Sequence, residues 1–307
     1  NQQPTTNNQQ PTTNNQQPTN LNNKCPICSS ENSIKYLYNN IISNKSIVKC
    51  KNCEIEYLYP YPTQKELSDI YSDDYAAWGI GQEDNFSKMK RDKFRKLLKD
   101  ILKYKNNGKL LDIGCGPGYL MIEAKNLGFD VYGIEVGEKA ANIAKEKFGD
   151  DKIYNGILEK SDFNHNYFDI IMMSDVLEHV ENPLELFKIS YDLLKQDGYV
   201  VITTPNTNSF TCRIMKSKWS HYNIEHIHYF NKKSIEKLSS ITGFEIIEIK
   251  PFWKVLTFKY MNSIFKYNNR KLLSGIFSVL EKIPIIGNLE IPILIGEFFI
   301  VLNKKNK

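Results

Sequence analysis

This sequence contains little cysteine, little histidine and no long run of apolar residues. Its 307 residues include six cysteines and five histidines. Six cysteines are too few for a disulfide scaffold of this length, and four of them form two Cys-x-x-Cys pairs, which are typical of metal binding in a reducing compartment. No stretch of about 18 uncharged apolar residues is available to span a membrane. The Asn-, Gln- and Thr-rich start lacks the basic and apolar regions of a cleavable signal peptide. We therefore expect a cytoplasmic protein.

The chain also lacks a positive charge spread over its length. The net charge is +5, but residues 251–307 hold nine Lys or Arg and three Glu, a net of +6, which leaves −1 for residues 1–250. A basic excess confined to the tail argues against a nucleic-acid-binding face that covers the whole protein. We therefore expect no nucleic-acid partner.

The first 20 residues repeat the unit NQQPTTN and contain no apolar and no charged side chain. Such a segment buries nothing that would offset the entropy of ordering it, so we predict a disordered, low-complexity tail. At roughly 150 residues per domain, the remaining chain is long enough for one α/β domain and a small appendage.

The appendage is predicted from the spacing of four cysteines, Cys25, Cys28, Cys50 and Cys53. The two pairs are separated by 21 residues. Two thiolate pairs match the tetrahedral preference of Zn²⁺ and leave no open coordination position, so the site is expected to be structural. Two disulfides or four free thiols remain as alternatives. We assign residues 21–62 to a zinc-ribbon-like module.

From Lys109 onward, strand-like and helix-like segments alternate. The runs FDIIMMSDV (168–176) and YVVITTP (199–205) are rich in apolar residues without strict alternation, as expected of strands that are buried on both faces. This alternation predicts an α/β fold with a doubly wound, mainly parallel sheet and helices on both faces. We assign residues 63–307 to this domain and predict a helical insertion at residues 252–291, before the last strand.

A glycine turn, DIGCGPG (112–118), lies between a predicted strand and a predicted helix. Its glycines allow a tight bend and close approach of a ligand, and the helix N-terminus offers free N–H groups to an anion. A nicotinamide-binding turn requires glycine at position 119, which is Tyr119 here. Glu135 ends the next strand, 17 residues after Gly118, and its carboxylate is placed to accept both hydroxyls of a ribose.

The runs LDIGCGPGYL and FDIIMMSDVLEHVENP, together with Glu135, resemble the motifs of class I S-adenosylmethionine (SAM) dependent methyltransferases. The resemblance covers roughly residues 63–307. It implies seven strands with one reversed strand, GEFFIVLNKK. It implies SAM as the cofactor, with the methionine moiety, ribose, adenine and methyl group contacted by Asp112, Gly114, Cys115, Gly116, Gly118, Tyr119, Glu135, Ile157, Leu158 and Ser174. The acidic residue that the family often places beside adenine is absent at Ile157 and Leu158. Another nucleotide in a Rossmann-like pocket remains the alternative.

The acceptor class is suggested by a second resemblance. Methyltransferases of sugars and secondary metabolites carry a similar cysteine module ahead of YPYPT-like and Tyr-x-x-x-Tyr segments, which Tyr71 and Tyr75 match. Removing a proton from a hydroxyl acceptor requires a base, and histidine suits neutral pH. We choose His226 first and His179 second as the base, with His228 as a further candidate. Alternatively, these histidines only pack or orient a helix.

The predicted insertion at 252–291 combines apolar positions at helical spacing with lysines on its other faces. Such a segment can lie on an anionic membrane surface, which would place the protein at the inner membrane surface. A lid over the acceptor or a dimer contact is the competing interpretation.

Our main hypothesis is methyl transfer from SAM to a hydroxyl of a sugar or glycan intermediate, or a related small polar acceptor. The alternatives are RNA methylation, since zinc modules also precede some rRNA methyltransferases, and a non-catalytic SAM-binding scaffold. The sequence indicates neither the identity of the acceptor nor the oligomeric state.

Overall fold

The computed structural model describes residues 24–31, 34–63, 65–66, 85–257, 262, 271–283 and 290–305. The predicted tail at 1–20 and the pair Tyr71 and Tyr75 lie outside these residues. The strands are β1 (Ile34–Ile42), β2 (Lys45–Cys50), β3 (Glu56–Tyr59), β4 (Gly108–Ile113), β5 (Phe129–Glu135), β6 (Ile153–Asn155), β7 (Phe168–Ser174), β8 (Leu194–Pro205), β9 (His228–Tyr229), β10 (Phe244–Thr257) and β11 (Glu290–Lys304). The α-helices are α1 (Asn85–Ile101), α2 (Tyr119–Asn126), α3 (Glu138–Phe148), α4 (Pro183–Leu193), α5 (Phe210–Met215), α6 (Lys232–Thr242) and α7 (Lys271–Leu280).

The larger sheet has seven strands in the order β10-β11-β8-β7-β4-β5-β6. Strand β11 is antiparallel to both of its neighbours. The remaining neighbours, β8 with β7, β7 with β4, β4 with β5 and β5 with β6, are parallel. The structure therefore confirms the predicted mainly parallel, seven-stranded sheet and its one reversed strand.

Local sequence explains where two of the helices begin and end. Helix α4 starts with Pro183 behind the cap Asn182, whose side chain accepts the Glu185 N–H at 3.1 Å. In α6, Asn231 and Ser234 satisfy each other's backbone N–H groups as a capping box. This helix ends at Gly243, which adopts φ 85°, a left-handed conformation that costs glycine little.

Apolar stripes hold the helices against the two faces of the sheet. The apolar stripe of α1 is buried, with Phe94, Leu97 and Ile101 packed on one face together with side chains of α2 and α3. Helices α4 and α6 contribute apolar side chains such as Phe187 and Leu238 to the core on the opposite face. The continuous apolar sequences of the central strands follow from this double coverage.

A second, four-stranded antiparallel sheet has the order β1-β2-β3-β9. Its first three strands come from the cysteine-containing segment, whereas β9 belongs to the chain after β8. Ile47 and Leu58 share a core with Trp219 and Tyr229. The cysteine module is therefore built into the larger domain, and this small sheet extends across the predicted boundary at residue 62.

The last two strands are longer than predicted. Strand β10 continues to Thr257 and β11 begins at Glu290, so six residues at the start of the predicted 252–291 insertion and two at its end are strand. Between them, the helix α7 agrees with the predicted helical spacing. Within the ranges the structure describes, no helix has both the length and the apolar character that crossing a bilayer requires.

Candidate functional site

The glycine turn follows the carboxyl end of β4, and its three glycines have left-handed backbone conformations. Gly114, Gly116 and Gly118 have φ values of 71°, 53° and 84°. A Cβ atom on Gly118 would lie 2.5 Å from the Phe148 ring, so both conformation and space require glycine there. The N–H groups of Gly114 and Cys115 donate to the Ile134 carbonyl at 2.8 and 2.9 Å, which fixes the turn against β5.

Glu135, at the end of β5, is held directly against this turn. Its Oε2 accepts the Gly116 N–H and its Oε1 accepts the Gly137 N–H, both at 2.8 Å. Burial raises the pKa of this carboxyl, while the two backbone N–H groups lower it. A carboxylate has about four lone-pair positions, so the remaining ones can accept ribose hydroxyls.

Three apolar side chains, Val136, Ile157 and Leu158, follow the ends of β5 and β6 beside Glu135. Leu158 is buried, whereas Ile157 is 44% exposed and Val136 is 52% exposed. The Asn155 side chain donates to the Glu135 carbonyl at 2.8 Å and so ties β6 to this edge of the site. Val136 was not predicted; the available signal was an apolar residue directly after the acid that ends a strand.

The side of the site next to Asp112 and Ser174 contains a lysine that the sequence analysis missed. Asp112 is buried, and this burial together with Glu135 raises its pKa, whereas the Lys93 ammonium lowers it. The Lys93 Nζ donates to Asp175 Oδ2 at 2.8 Å and lies 3.5 Å from Ser174 Oγ. Lys93 comes from α1, far from the glycine turn in sequence, so no local motif marks it.

Beyond the end of β7, Glu178, His179 and His226 converge; we call these three residues the acceptor cluster, because its two histidines are the first two predicted bases. One ligand atom from each lies within 4.8 Å of the other two. The two imidazole centroids are 4.7 Å apart in an edge-to-face arrangement. His179 and Glu178 follow β7, whereas His226 lies 47 residues later, so only the fold brings them together.

Burial determines the protonation of the acceptor cluster. It lowers the pKa of both His179 and His226, so both rings are neutral near pH 7. It raises the pKa of Glu178 to about 8, assisted by the Asp175 carboxylate. Thr204 Oγ1 donates to Glu178 Oε2 at 2.8 Å and satisfies that buried oxygen.

His228, the third predicted base, has a different environment. Its side chain is fully buried, and the Tyr61 hydroxyl contacts its Nε2. Burial lowers the pKa of His228 to about 3. Trp219 and Tyr222 are also buried, in the core below the small sheet. These side chains support the acceptor side from behind and present no exposed surface for a sugar ring.

The four module cysteines meet as predicted. Cys25 Sγ lies 3.3 Å from Cys53 Sγ, and Cys28 Sγ lies 3.7 Å from Cys50 Sγ. A disulfide requires about 2.05 Å, and none of the four cysteines is in a disulfide bond. Sulfurs around a tetrahedral Zn²⁺ with bonds of about 2.3 Å are about 3.8 Å apart. The four side chains therefore fit a tetrahedral ion that prefers thiolates.

Comparison with known proteins agrees with this geometry. A family model described as a methyltransferase domain matches residues 85–249, more than half of the chain. The chain belongs to this family. The match includes the glycine turn, Glu135 and the acceptor cluster, and it confirms the predicted methyltransferase domain.

Two relatives carry the description ubiquinone biosynthesis O-methyltransferase. The Acinetobacter baylyi protein is 31% identical over 106 residues, which cover 33% of this chain and 44% of that protein. The Cereibacter sphaeroides protein is 34% identical over 117 residues, which cover 36% and 47% of the two chains. The chain thus spans less than half the length of these relatives.

A Thermotoga maritima structure, described as a SAM-dependent methyltransferase and possible histamine N-methyltransferase, has a TM-score of 0.50 to this chain. It is 19% identical and covers 78% of this chain and 99% of its own. At this identity the likeness concerns the fold alone, and the fold is that of SAM-dependent methyltransferases.

Proposed function

We propose that this chain transfers a methyl group from SAM to a hydroxyl of a small polar acceptor, such as a sugar or glycan intermediate. The observation that carries this proposal is the pairing of the glycine turn with Glu135 at one side of the sheet edge and neutral histidines at the other. The O-methyltransferase names of the relatives support oxygen as the methylated atom.

Different residues of the chain would bind different parts of SAM. Glu135 holds the ribose, Asp112 the amino group, and the glycine turn approaches the methionine moiety. When bound, SAM supplies an electrophilic methyl carbon, whose bond to sulfur breaks with the electron pair on sulfur as the bond to the acceptor oxygen forms. Alignment of the two reactants supplies most of the rate enhancement.

A neutral imidazole can take up the hydroxyl proton. His226 is our first choice because it is neutral and its Nδ1 is bound to the His221 carbonyl at 2.9 Å, which leaves Nε2 as the acceptor. His179, bound in the same way to the Glu225 carbonyl, is the second choice. We assign His228 a structural role, since it exposes no nitrogen.

We also propose that Cys25, Cys28, Cys50 and Cys53 hold one structural Zn²⁺. The inward-facing sulfurs and the burial of three of the four residues support this assignment. The ion would fix the turns before β1 and after β2 and, through β3 and β9, the segment that carries His226.

A cytoplasmic location with peripheral contact to the inner membrane surface remains part of the proposal. Trp253, Ile276 and Val279, in the predicted 252–291 segment, are 55%, 51% and 66% exposed, which supports such a contact. An acceptor from ubiquinone biosynthesis is a second candidate, favoured by the relatives' names.

A screen of nucleotide sugars and glycan intermediates with isotopically labelled SAM tests the main proposal. We expect one acceptor class to gain the mass of a labelled methyl group, with no transfer to RNA. Calorimetry on the folded protein should show heat with SAM and with S-adenosylhomocysteine. Clear binding of NAD or a flavin without binding of SAM would overturn the assignment of the pocket.

A further inference from the structure

We propose that the acceptor cluster, Glu178, His179 and His226, binds a divalent cation that holds the acceptor by its oxygens. The site is separate from the four-cysteine cluster, and one ligand atom from each residue already lies within 4.8 Å of the others. The inference rests on the proposed function for the identity of the ligand, but the cation site itself stands on the geometry below.

The hydrogen bonds of the two histidines orient them as metal ligands. His179 Nδ1 contacts the Glu225 carbonyl at 2.8 Å, and His226 Nδ1 contacts the His221 carbonyl at 2.9 Å. A carbonyl only accepts, so each Nδ1 carries the proton and each Nε2 presents a lone pair. Metal-ligating histidines characteristically donate their other ring nitrogen to a carbonyl or carboxylate in this way.

The charges around the acceptor cluster favour a cation. The carboxyl groups of Asp175 and Glu297 both act electrostatically on Glu178, and Asp175 also acts on both histidines. The ammonium of Lys93 is bound to Asp175. Acidic side chains therefore outnumber basic ones around the two imidazoles, so a divalent ion in this buried region would meet more oxygen donors than cations.

The donor set also indicates the type of ion and its ligand. Two imidazole nitrogens and one carboxylate oxygen suit Mn²⁺, Fe²⁺, Co²⁺ or Zn²⁺, unlike the four thiolates of the cysteine cluster. Three protein ligands leave coordination positions open for an exogenous ligand. An acceptor with two neighbouring oxygens, such as a vicinal diol, would fill two of these positions.

This arrangement changes the role of the histidines when the cation is bound. The cation and a proton compete for the same two Nε2 atoms, so in the loaded state His226 and His179 are ligands. A coordinated hydroxyl is more acidic than a free one, and its proton would pass to water as its oxygen attacks the methyl carbon.

Equilibrium dialysis with Co²⁺ tests the site, using full-length protein first loaded with one Zn²⁺ per chain. Because Zn²⁺ binds more tightly than Co²⁺ at a given site, the cysteines keep zinc and report no cobalt. We expect one additional Co²⁺ per chain, with visible absorption of nitrogen and oxygen ligands and no thiolate charge-transfer band. We expect Glu178→Gln and His226→Ala to weaken this binding by at least about tenfold.

Matched controls are His165→Ala, at an exposed position, and Glu185→Gln, at a half-buried one; they make the same changes outside the cluster and should keep the affinity for Co²⁺. Unchanged SAM affinity would show that the cluster variants fold. If His226→Ala does not fold, His179→Asn provides a smaller change in the same cluster. Equal Co²⁺ affinity in the cluster variants and the wild type, or cobalt seen only with a thiolate band, would overturn the inference.

The two proposals can fail independently. Methyl transfer to a hydroxyl acceptor by protein that holds zinc alone, at an undiminished rate, would overturn the cation site and leave the proposed function standing. A second bound metal without transfer to any hydroxyl acceptor would do the reverse.

Discussion

The cofactor half and the acceptor half of this cleft are built from the chain in different ways. The proposed cofactor half comes from residues 112–118 and 134–137, which are neighbouring strand ends joined by hydrogen bonds from backbone N–H groups to the Ile134 carbonyl and the Glu135 carboxylate. The acceptor half combines the end of β7 with residues 221–228 and is supported from behind by the cysteine module, through the pairing of β3 with β9. We therefore expect damage to the module to reach the acceptor half and to leave the cofactor half intact.

The largest effect is expected from Cys53→Ser, which removes one buried sulfur of the cysteine cluster. In structural zinc sites, about 10 kcal/mol or more of metal binding contributes to folding, so we expect the zinc content to fall from one per chain to none. Methyl transfer should be lost, while calorimetry should show SAM affinity within about threefold of wild type, because strong couplings are confined to contacting groups.

Lys51→Ser is the matched control for this variant, since Lys51 is exposed on the same turn. It should keep both zinc and activity. A parallel loss of SAM affinity in Cys53→Ser would show that the two halves are not independent.

The reverse experiment is Glu135→Ala, which removes the carboxylate that binds the Gly116 and Gly137 N–H groups. Hydrogen bonds to a charged group contribute about 1.5–3 kcal/mol each, so SAM affinity should fall on the order of 100-fold or more by calorimetry. Zinc content and Co²⁺ binding should stay as in wild type, and Glu138→Ala should change neither. Unchanged SAM affinity would contradict the assignment of Glu135 to the ribose.

A pair of glycine substitutions separates backbone conformation from close packing in the cofactor half. Gly118 and Gly128 have φ values of 84° and 94°, but only at Gly118 would a Cβ atom meet another group within 4 Å, the Phe148 ring at 2.5 Å. In both alanine variants, the left-handed backbone conformation should lower the free energy of unfolding by about 1–2 kcal/mol. Urea unfolding should show Gly118→Ala less stable than Gly128→Ala by a further 1–3 kcal/mol or so from overpacking. Equal stabilities would mean that Phe148 moves aside without cost.

The smallest effect is expected from Tyr61→Phe, which removes the hydroxyl at His228 Nε2. Losing one neutral hydrogen bond should lower the free energy of unfolding by about 1 kcal/mol, with methyl transfer unchanged, because His228 exposes no nitrogen to the acceptor. Tyr36→Phe, at a tyrosine that is 53% exposed, should change neither quantity. A marked fall in turnover with Tyr61→Phe would return His228 to the candidates for the base.

Much of the fold was predictable because its signals are local. The apolar runs of β7 and β8, the glycine turn and the acid at the end of β5 each lie within a few residues of chain. Likewise, the spacing of the two Cys-x-x-Cys pairs predicted that the four cysteines come together. The predicted ends of the last strands were less accurate, because β10 and β11 pair with each other beyond the edge of the core, where apolar periodicity gives no boundary.

The remaining features of the site have no local signal. Lys93 reaches Asp175 from a helix 82 positions earlier, and Val136 gains its meaning only from Ile157, which follows the end of β6. Equally, nothing in the pattern HIHYF distinguishes His226, at the cluster, from His228, which is fully buried two residues later. In a strand, residues two positions apart face the same side of the sheet, which would group His226 with His228. Strand β9 is two residues long and starts at His228, so His226 lies outside it and the rule does not apply.

The sequence by itself determined the family of the fold, the glycine turn with its acidic partner and the convergence of the four cysteines, because each depends on groups close together along the chain or on a spacing typical of metal sites. The tertiary structure decided which histidines face each other, that Glu178 joins them, and that the cysteine module supports the acceptor half. Those relations depend on long-range strand pairing and burial, which bring together residues that no sequence spacing connects.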